Sequence, residues 1–141
     1  MDAEHLDMKI RAVDGGVTAA AGFKAAGIHA GFRKNPERLD YALVVPDKPC
    51  AGAGVFTTNR FCAAPVQVSR ANLGGADKGY GIIAGVSVNS GNANAATGET
   101  GLACARETCN IASQVIGCEP QQVLVASTGV IGQILPIDTF E

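Results

Sequence analysis

The sequence predicts a mixed α/β fold, an α+β sandwich in which helices cover mixed sheets. Short apolar or β-branched runs, separated by glycine and proline, dominate the first part of the chain. One long helical pattern then returns the chain to a further strand. With 141 residues, of which 47% are hydrophobic and 17% charged, the chain has the length and composition of an ordered globular protein.

Four segments in the first ninety residues have the composition of strands. Each contains β-branched, aromatic or other apolar residues and is bounded by turn-forming residues. The last of the four is nearly all apolar, which predicts that it is buried on both faces. The predicted strands are Tyr41 to Val45, Gly54 to Thr58, Pro65 to Ser69 and Ile82 to Val88.

The second half contains the helical pattern. Apolar residues recur there at spacings of three and four, and Gly117 follows as the expected stop signal. The predicted elements are a helix from Thr100 to Ile116, a strand from Val123 to Ala126 and a helix that starts at Pro136 and runs to Glu141.

A hydroxyl-glycine motif, Ser127-Thr128-Gly129, directly follows the strand predicted to end at Ala126. A hydroxyl and an unhindered backbone N–H at the end of a strand are suited to binding an anion or a developing oxyanion. The same three residues also form ordinary turns, in which the hydroxyl groups bond nearby backbone. On these residues alone, both interpretations stay open.

An amide-rich turn follows the apolar run that ends at Val88. It contains Asn89, Ser90, Asn92 and Asn94. Because side-chain amides commonly brace turns, we favour a structural role for these residues. The alternative is that some of them line an active-site cleft.

These two motifs, in this order, resemble the ornithine acetyltransferase (bifunctional glutamate N-acetyltransferase) family, and specifically its amino-terminal portion. Further blocks extend the resemblance over nearly the whole chain from Gly15 onward. We therefore predict a flexible segment at 1–14 and the amino-terminal part of the acetyltransferase domain at 15–141. The additional blocks are Gly15 to Thr18, Gly22 to Gly27, Ala53 to Arg60 and Ala64 to Val66.

The resemblance implies an acetyl transfer from N-acetylornithine to glutamate, a step of arginine biosynthesis, through an acetyl-threonine intermediate. Family members cut themselves at an Ala-Thr bond, and the second chain begins with the threonine nucleophile. The family pattern maps the oxyanion hole onto Thr128 and Gly129, where the absent Cβ of glycine would leave room for substrate. It also implies an assembly with two copies of each half.

This chain ends before the position of the family's nucleophile. The resemblance therefore implies that the chain is inactive alone, that its partner is the carboxy-terminal (beta) chain, and that its fold is incomplete without that half, with a bare sheet face or edge. Two alternatives stay open: a self-cleaving aminopeptidase-like amide hydrolase, and a non-catalytic module that docks a partner.

Composition argues against several other classes. A formal net charge of -2 without a basic run does not indicate a surface that binds nucleic acid. No apolar run approaches the roughly 20 residues that cross a bilayer. An acidic, polar start and five cysteines without a Cys-x-x-Cys pair indicate a cytoplasmic protein with reduced thiols. No metal or cofactor is expected, because amide exchange through an activated hydroxyl needs none. Lys24, Arg33 and Arg60 could meet a substrate carboxylate, but the sequence favours none of them.

Overall fold

The computed structural model of the protein describes residues 12–75 and 77–140. These residues form six strands and two α-helices, with short 3-10 turns between some of them. The strands are β1 (Phe23–Ile28), β2 (Tyr41–Pro46), β3 (Cys50–Ala53), β4 (Tyr80–Ile83), β5 (Gly85–Asn92) and β6 (Val123–Val130), and the helices are α1 (Ala64–Asn72) and α2 (Gly98–Ile116).

The main sheet has four strands in the order β1-β2-β5-β6. The first three are antiparallel neighbours, whereas β5 and β6 are parallel and are connected through α2. Strands β3 and β4 form a separate two-stranded antiparallel sheet. This arrangement confirms the predicted mixed α/β class, and it makes β5, α2 and β6 a βαβ unit.

The hydrophobic core lies between one face of the main sheet and the two helices. Inward residues of α1 and α2 meet the alternate residues of β6 that point toward the helices. Partly buried apolar residues, Leu43 of β2 among them, pack against the edge of this cluster. The fully buried cluster consists of Ala64, Val68, Ala105, Cys109, Ala112, Val123 and Val125.

The opposite face of the main sheet is apolar but only partly covered by the described residues. The register pairs the side chains of this face across β2, β5 and β6. We call this surface the open face. Because Val86 and Val88 are only half-buried, the prediction that their strand is buried on both faces is wrong for the described chain. The open face comprises Ala42, Val44, Val86, Val88, Leu124 and Ala126.

Helix α1 occupies the segment predicted as a strand from Pro65 to Ser69, so that prediction is wrong. Pro65 stands in the first turn of the helix, where its missing N–H costs nothing. The buried residues Ala64, Pro65, Val68 and Ser69 fall on one side at helical spacing. The β-branched valines of this segment had suggested a strand, but a proline inside a paired strand would remove a ladder hydrogen bond.

Polar side chains of α1 close the outer edge of β6. The Ser69 hydroxyl donates to the Val125 carbonyl at 2.7 Å and accepts from the Val125 N–H at 2.9 Å. The Asn72 amide donates to the Val123 carbonyl at 2.7 Å. Side chains thus satisfy backbone groups that an edge strand would otherwise leave unpaired in the interior.

The strand predicted at Gly54 to Thr58 is absent, and β3 lies just before it. Gly54 still bonds the carbonyl of Gly79, but the chain then leaves the small sheet. Local bonds replace a ladder: the Asn59 N–H donates to the Thr57 hydroxyl at 3.1 Å, and Arg70 donates to the Thr57 carbonyl. Such side-chain to backbone bonds compete with sheet formation.

The apolar run from Ile82 to Val88 belongs to two strands rather than one. The chain passes from β4 to β5 at the buried Ala84, whose N–H donates to the Gln122 carbonyl at 2.8 Å. Gly85 then starts β5 against α2, where an added Cβ would lie 2.5 Å from Cδ1 of Ile116. The backbone at Gly85 is packed closely against α2, and at this point the chain passes from the two-stranded sheet to the main sheet.

The remaining predicted elements agree with the structure more closely. Strand β2 and helix α2 are present, and Gly117 ends α2 in the left-handed conformation with its N–H bonded to the Ser113 carbonyl. Strand β6 extends four residues beyond the predicted end. The final segment forms a 3-10 turn, Ile137–Phe140, instead of the predicted helix, and Glu141 lies outside the described residues.

Strand β1 was not predicted. All six of its residues are exposed, and its Lys-Ala-Ala-Gly centre has little of the β-branched character that indicates a strand. Within ranges 12–75 and 77–140, β2 is the strand that pairs with it in the sheet. Of the flexible segment predicted at 1–14, residues 1–11 lie outside the described residues, while 12–14 are exposed and belong to no helix or strand. The flexibility itself stays a prediction.

The closure of β6 by α1 can be tested with Ser69→Ala. This change leaves the buried N–H and carbonyl of Val125 without their partner, so we expect unfolding in urea to require about 2–3 kcal/mol less free energy. Gln67→Ala is the matched control, because Gln67 lies on the same helix with its amide bonded at an exposed position. Equal losses in the two variants would contradict this account of the edge.

Candidate functional site

Thr128 and Gly129 lie inside β6 rather than in a turn after it. The strand continues to Val130, so the predicted turn geometry is wrong, although both residues are near the carboxyl end of the strand. Both are exposed. Alternation along β6 places the Thr128 side chain on the same side as Leu124 and Ala126, at the border of the open face.

The carboxyl end of β5 lies directly beside this motif. In the parallel register Ser90 pairs with Thr128 and Gly91 with Gly129. Asn92 pairs with Thr128 and also with Val130, which marks a bulge in β5. The two motifs singled out in the sequence, the hydroxyl-glycine motif and the amide-rich turn, therefore meet at the ends of two adjacent parallel strands.

The contact between Gly91 and Gly129 is unusually close. A Cβ added to Gly129, whose φ is +135°, would lie 2.3 Å from the carbonyl carbon of Gly91 and 2.6 Å from the Asn92 nitrogen. The structure thus gives a reason for glycine that the sequence did not: the neighbouring strand, and not only a substrate, requires the absence of a side chain.

The prediction of a turn directly after Val88 is wrong, because residues 89–92 continue β5 and only the following residues leave the strand. The asparagines of this segment nevertheless brace the backbone, as we predicted. The Asn89 amide donates to the Asn92 carbonyl at 2.8 Å, and the Asn92 amide donates to the carbonyls of Gln133 and Ile134 at 3.2 and 3.1 Å. The Asn92 side-chain oxygen accepts from the Asn94 N–H at 2.7 Å. These bonds fix the end of β5 relative to the segment that leaves β6.

Asn94 joins the same turn to both helices. Its side chain is fully buried, its amide donates to the Gly101 carbonyl of α2 at 2.8 Å, and its own carbonyl accepts from the Ala64 N–H of α1. The Thr97 hydroxyl, just before α2, donates to the Asn94 side-chain oxygen at 2.8 Å. The helix ends are therefore positioned by the turn that follows β5.

Asp40, immediately before β2, organises the loop between β1 and β2. Its carboxylate accepts the N–H of Ala30 at 2.6 Å and the N–H of Arg33 at 2.7 Å, and the His29 ring lies 3.3 Å away. Burial acts to raise the pKa of this carboxyl group. The backbone bonds, the His29 charge and a further N–H from Phe32 outweigh burial, so the pKa lies below its usual value of 3.8.

The loop that Asp40 organises also contacts the end of β5. The Arg33 Nε donates to the Ser90 hydroxyl at 3.1 Å, and a Cβ added to Gly91 would lie 2.9 Å from the Phe32 carbonyl oxygen. Sequence reasoning missed this connection. A single aspartate before a β-rich run gave only a weak signal, because the same residue type is common in exposed turns.

The other two basic candidates lie away from the motif. Lys24 is in β1 at the end of the sheet opposite to Asn89, and it forms an exposed ion pair with Asp47 at 3.2 Å. Arg60 is exposed in the segment before α1. Of the three basic residues considered from the sequence, the structure brings only Arg33 beside the two motifs.

A model described as the ArgJ family matches residues 24–141 of this sequence. The chain belongs to the ArgJ family. Its mixed α/β structure agrees with those of solved ArgJ proteins, and it corresponds to their amino-terminal portion.

Curated relatives in the ArgJ family have the name "Arginine biosynthesis bifunctional protein ArgJ". The relative from Dehalococcoides mccartyi is 48% identical over 129 residues, which cover 91% of this chain and 31% of the relative. The relative from Gloeobacter violaceus is 49% identical over 126 residues, covering 89% of this chain and 30% of the relative. The chain thus spans about 30% of the length of the curated relatives it matches.

Two solved structures are similar in fold. The ArgJ protein of Bacillus halodurans superposes with a TM-score of 0.80 at 37% identity, covering 89% of this chain and 63% of that one. The ornithine acetyltransferase of Mycobacterium tuberculosis, solved in complex with ornithine, has a TM-score of 0.80 at 40% identity and covers 88% of this chain and 64% of that one.

Residues 12–75 and 77–140 contain no group of three or more His, Cys, Asp or Glu side chains placed to hold a metal ion. None of the helices in these ranges combines the length and the apolar character needed to cross a membrane.

The close contact between β5 and β6 predicts a steric effect at Gly129. Gly129→Ala should lower the free energy of unfolding by about 2–3 kcal/mol more than Gly132→Ala. Gly132 also has a positive φ, +80°, but an added Cβ there meets open space, so the control isolates the clash from the backbone strain. Similar unfolding midpoints in urea for both variants would contradict the observed strand contact.

The depressed pKa of Asp40 predicts a loss of stability in acid. A carboxyl group with a lower pKa in the folded state stabilises the fold above its unfolded pKa, and that contribution disappears as the pH falls through the folded pKa. We therefore expect the melting temperature to decline below about pH 4, and to decline less steeply in Asp40→Asn. Asp47→Asn, which alters an exposed carboxylate, should keep the acid dependence of the unmodified protein.

Proposed function

We propose that this chain is the oxyanion-binding part of an acetyltransferase that moves an acetyl group from N-acetylornithine to glutamate in arginine biosynthesis. Membership of the ArgJ family supports the reaction class, and the name of the Mycobacterium tuberculosis neighbour supports the ornithine substrate. One observation in this chain carries the proposal: Thr128 and Gly129 are exposed at the carboxyl end of β6, beside the carboxyl end of its parallel neighbour.

The location is favourable for chemistry. In α/β sheets, ligands bind in the crevice outside the carboxyl ends of parallel strands, where backbone groups converge. The Thr128 hydroxyl has no side-chain hydrogen bond within the residues that the structure describes, so it is available to donate to a substrate oxygen. Hydrogen-bonded asparagines hold the adjacent turn, which reduces the reorganisation needed when negative charge develops.

The reaction would proceed in two displacements. A threonine hydroxyl attacks the acetyl carbonyl of N-acetylornithine, forms a tetrahedral oxyanion, and expels ornithine as the amine to leave an acetyl-threonine ester. The amine of glutamate then attacks the ester and regenerates the threonine through a second tetrahedral oxyanion. Thr128 and Gly129 would donate to the oxyanion in both steps, Thr128 from its hydroxyl and Gly129 from its backbone N–H.

The threonine nucleophile would come from the carboxy-terminal part of the family's proteins, which this chain does not span. If it is the first residue of a second chain formed by autocatalytic cleavage, its α-amine, with a pKa of about 8, can serve as the general base near neutral pH. By this proposal, residues 1–141 are inactive alone.

The open face supports a carboxy-terminal partner. Its side chains are apolar and partly exposed, and its border includes the Thr128 side of β6. A second layer packed there would bury apolar surface and bring the nucleophile to the same end of the sheet. The assembly would contain two copies of each half, and a cytoplasmic location stays a prediction.

Thr128→Ala tests the proposal in a complete enzyme, made by joining this chain to the remainder of the Dehalococcoides mccartyi relative. Loss of one oxyanion donor should lower kcat for acetyl transfer from N-acetylornithine to glutamate by about 100- to 1000-fold. Ser127→Ala is the matched control, because the neighbouring side chain points to the other face of β6 and should leave kcat nearly unchanged. Undiminished transfer in Thr128→Ala would exclude the assigned role.

A further inference from the structure

Three backbone segments are in close contact at the end of the main sheet. The loop 30–33 contacts Gly91 of β5, and Gly91 contacts Gly129 of the neighbouring strand β6. We infer that Asp40, which holds this loop, is a positioning residue that sets the orientation of the Gly129 peptide. The inference rests on the proposed role of Gly129 as an oxyanion donor.

The first step is the attachment of the loop to Asp40. The side chain of Asp40 has no solvent-accessible surface, and its two oxygens accept the N–H groups of Ala30 and Arg33 at 2.6 and 2.7 Å. Charge-assisted bonds from backbone N–H groups to a shielded carboxylate are among the stronger hydrogen bonds in proteins. The backbone of the loop is therefore fixed relative to the start of β2.

The second step is the contact of the loop with β5. A Cβ on Gly91 would lie 2.9 Å from the Phe32 carbonyl oxygen and 3.0 Å from Cγ of Arg33, so the loop occupies the space of a missing side chain. A main-chain bond reinforces the contact, because the Ser90 N–H donates to the Asp40 carbonyl at 2.8 Å. The backbone carbonyl of Asp40 is thus bonded to β5, and its side chain is bonded to the loop that covers Gly91.

The third step is the contact between β5 and β6, through which the position of the loop affects β6. Gly91 and Gly129 lie so close that a Cβ on Gly129 would fall 2.5 Å from the Gly91 carbonyl oxygen. Neither residue has a side chain that could absorb a displacement. A shift of the loop therefore moves Gly91, and a shift of Gly91 moves the peptide of Gly129.

The consequence for catalysis is specific. An oxyanion donor must lie within hydrogen-bond distance of the position that the charged oxygen occupies in the transition state, and small misplacements are costly. Binding of N-acetylornithine and glutamate in the ground state depends little on this donor. Loosening the loop should therefore lower kcat and leave KM nearly unchanged.

Asp40→Asn in the complete fusion enzyme tests the inference. The amide keeps the shape of the carboxylate but replaces one acceptor by a donor that faces backbone N–H groups. We expect kcat to fall about 10- to 100-fold while KM for both substrates stays within about threefold. Asp47→Asn, the same substitution at the exposed end of β2, should retain the kcat of the unmodified enzyme. A lower melting temperature with unchanged kcat would overturn the inference.

A second variant, Asp40→Glu, tests the inference if Asp40→Asn does not fold. Asp40→Glu keeps the charge and both acceptors, but its longer stem must push the loop outward because the side chain is fully enclosed. We expect a smaller loss of kcat, about threefold to tenfold, again with little change in KM. A kcat equal to that of the unmodified enzyme would overturn the inference.

Amide hydrogen exchange separates this inference from the proposed function. In the folded variants, peptides that contain Gly91 and Gly129 should exchange faster than in the unmodified enzyme, and peptides from α2 should exchange at the same rate. Unchanged exchange at both glycines would overturn the positioning role even if Thr128→Ala abolished transfer. Faster exchange, together with full transfer activity in Thr128→Ala, would support the mechanical link while excluding the oxyanion role of Thr128.

Discussion

The backbone contact between Gly91 and Gly129 is the constraint on which the site depends. Parallel strands normally leave room for side chains on both faces, but here two glycines at matched positions bring β5 and β6 together where the bulge at Asn92 begins. The asparagine bonds on one side and the loop 30–33 on the other hold this contact in place. Buried, hydrogen-bonded side chains therefore surround the exposed end of the sheet.

The elements that could be predicted were those with a strong local pattern. The spacing of apolar residues and Gly117 located α2, and the β-branched run located β2. The segment Pro65 to Ser69 was predicted wrongly as a strand, because its β-branched valines outweighed a proline that is favourable at a helix start. Strand β1 lacked any local signal, since its partner β2 determines its conformation. Non-local pairing of this kind cannot be read from a short window of sequence.

The same distinction applies to the candidate site. The two motifs and their family resemblance could be identified from residue types alone, and the resemblance is confirmed by the ArgJ family match. The roles of Thr128 and Gly129 stay a proposal. The contribution of Asp40 could not be predicted, because its two bonds to the loop matter only through its third bond, to Ser90 of a strand far along the chain. Such a connection becomes visible only when the loop, β2 and the end of β5 are seen together.

The two lateral edges of the main sheet differ in a way that limits self-association. Ser69 and Asn72 of α1 already bond the outer backbone groups of Val125 and the carbonyl of Val123, so another strand cannot pair with this first half of β6. The edge at β1 has no such cover among the described residues. Sheet extension between two molecules is therefore favoured at β1, where joining β1 to β1 would give a symmetric pair. Closure of β6 at Val123 and Val125 thus disfavours the edge-to-edge addition that would build an endless fibre.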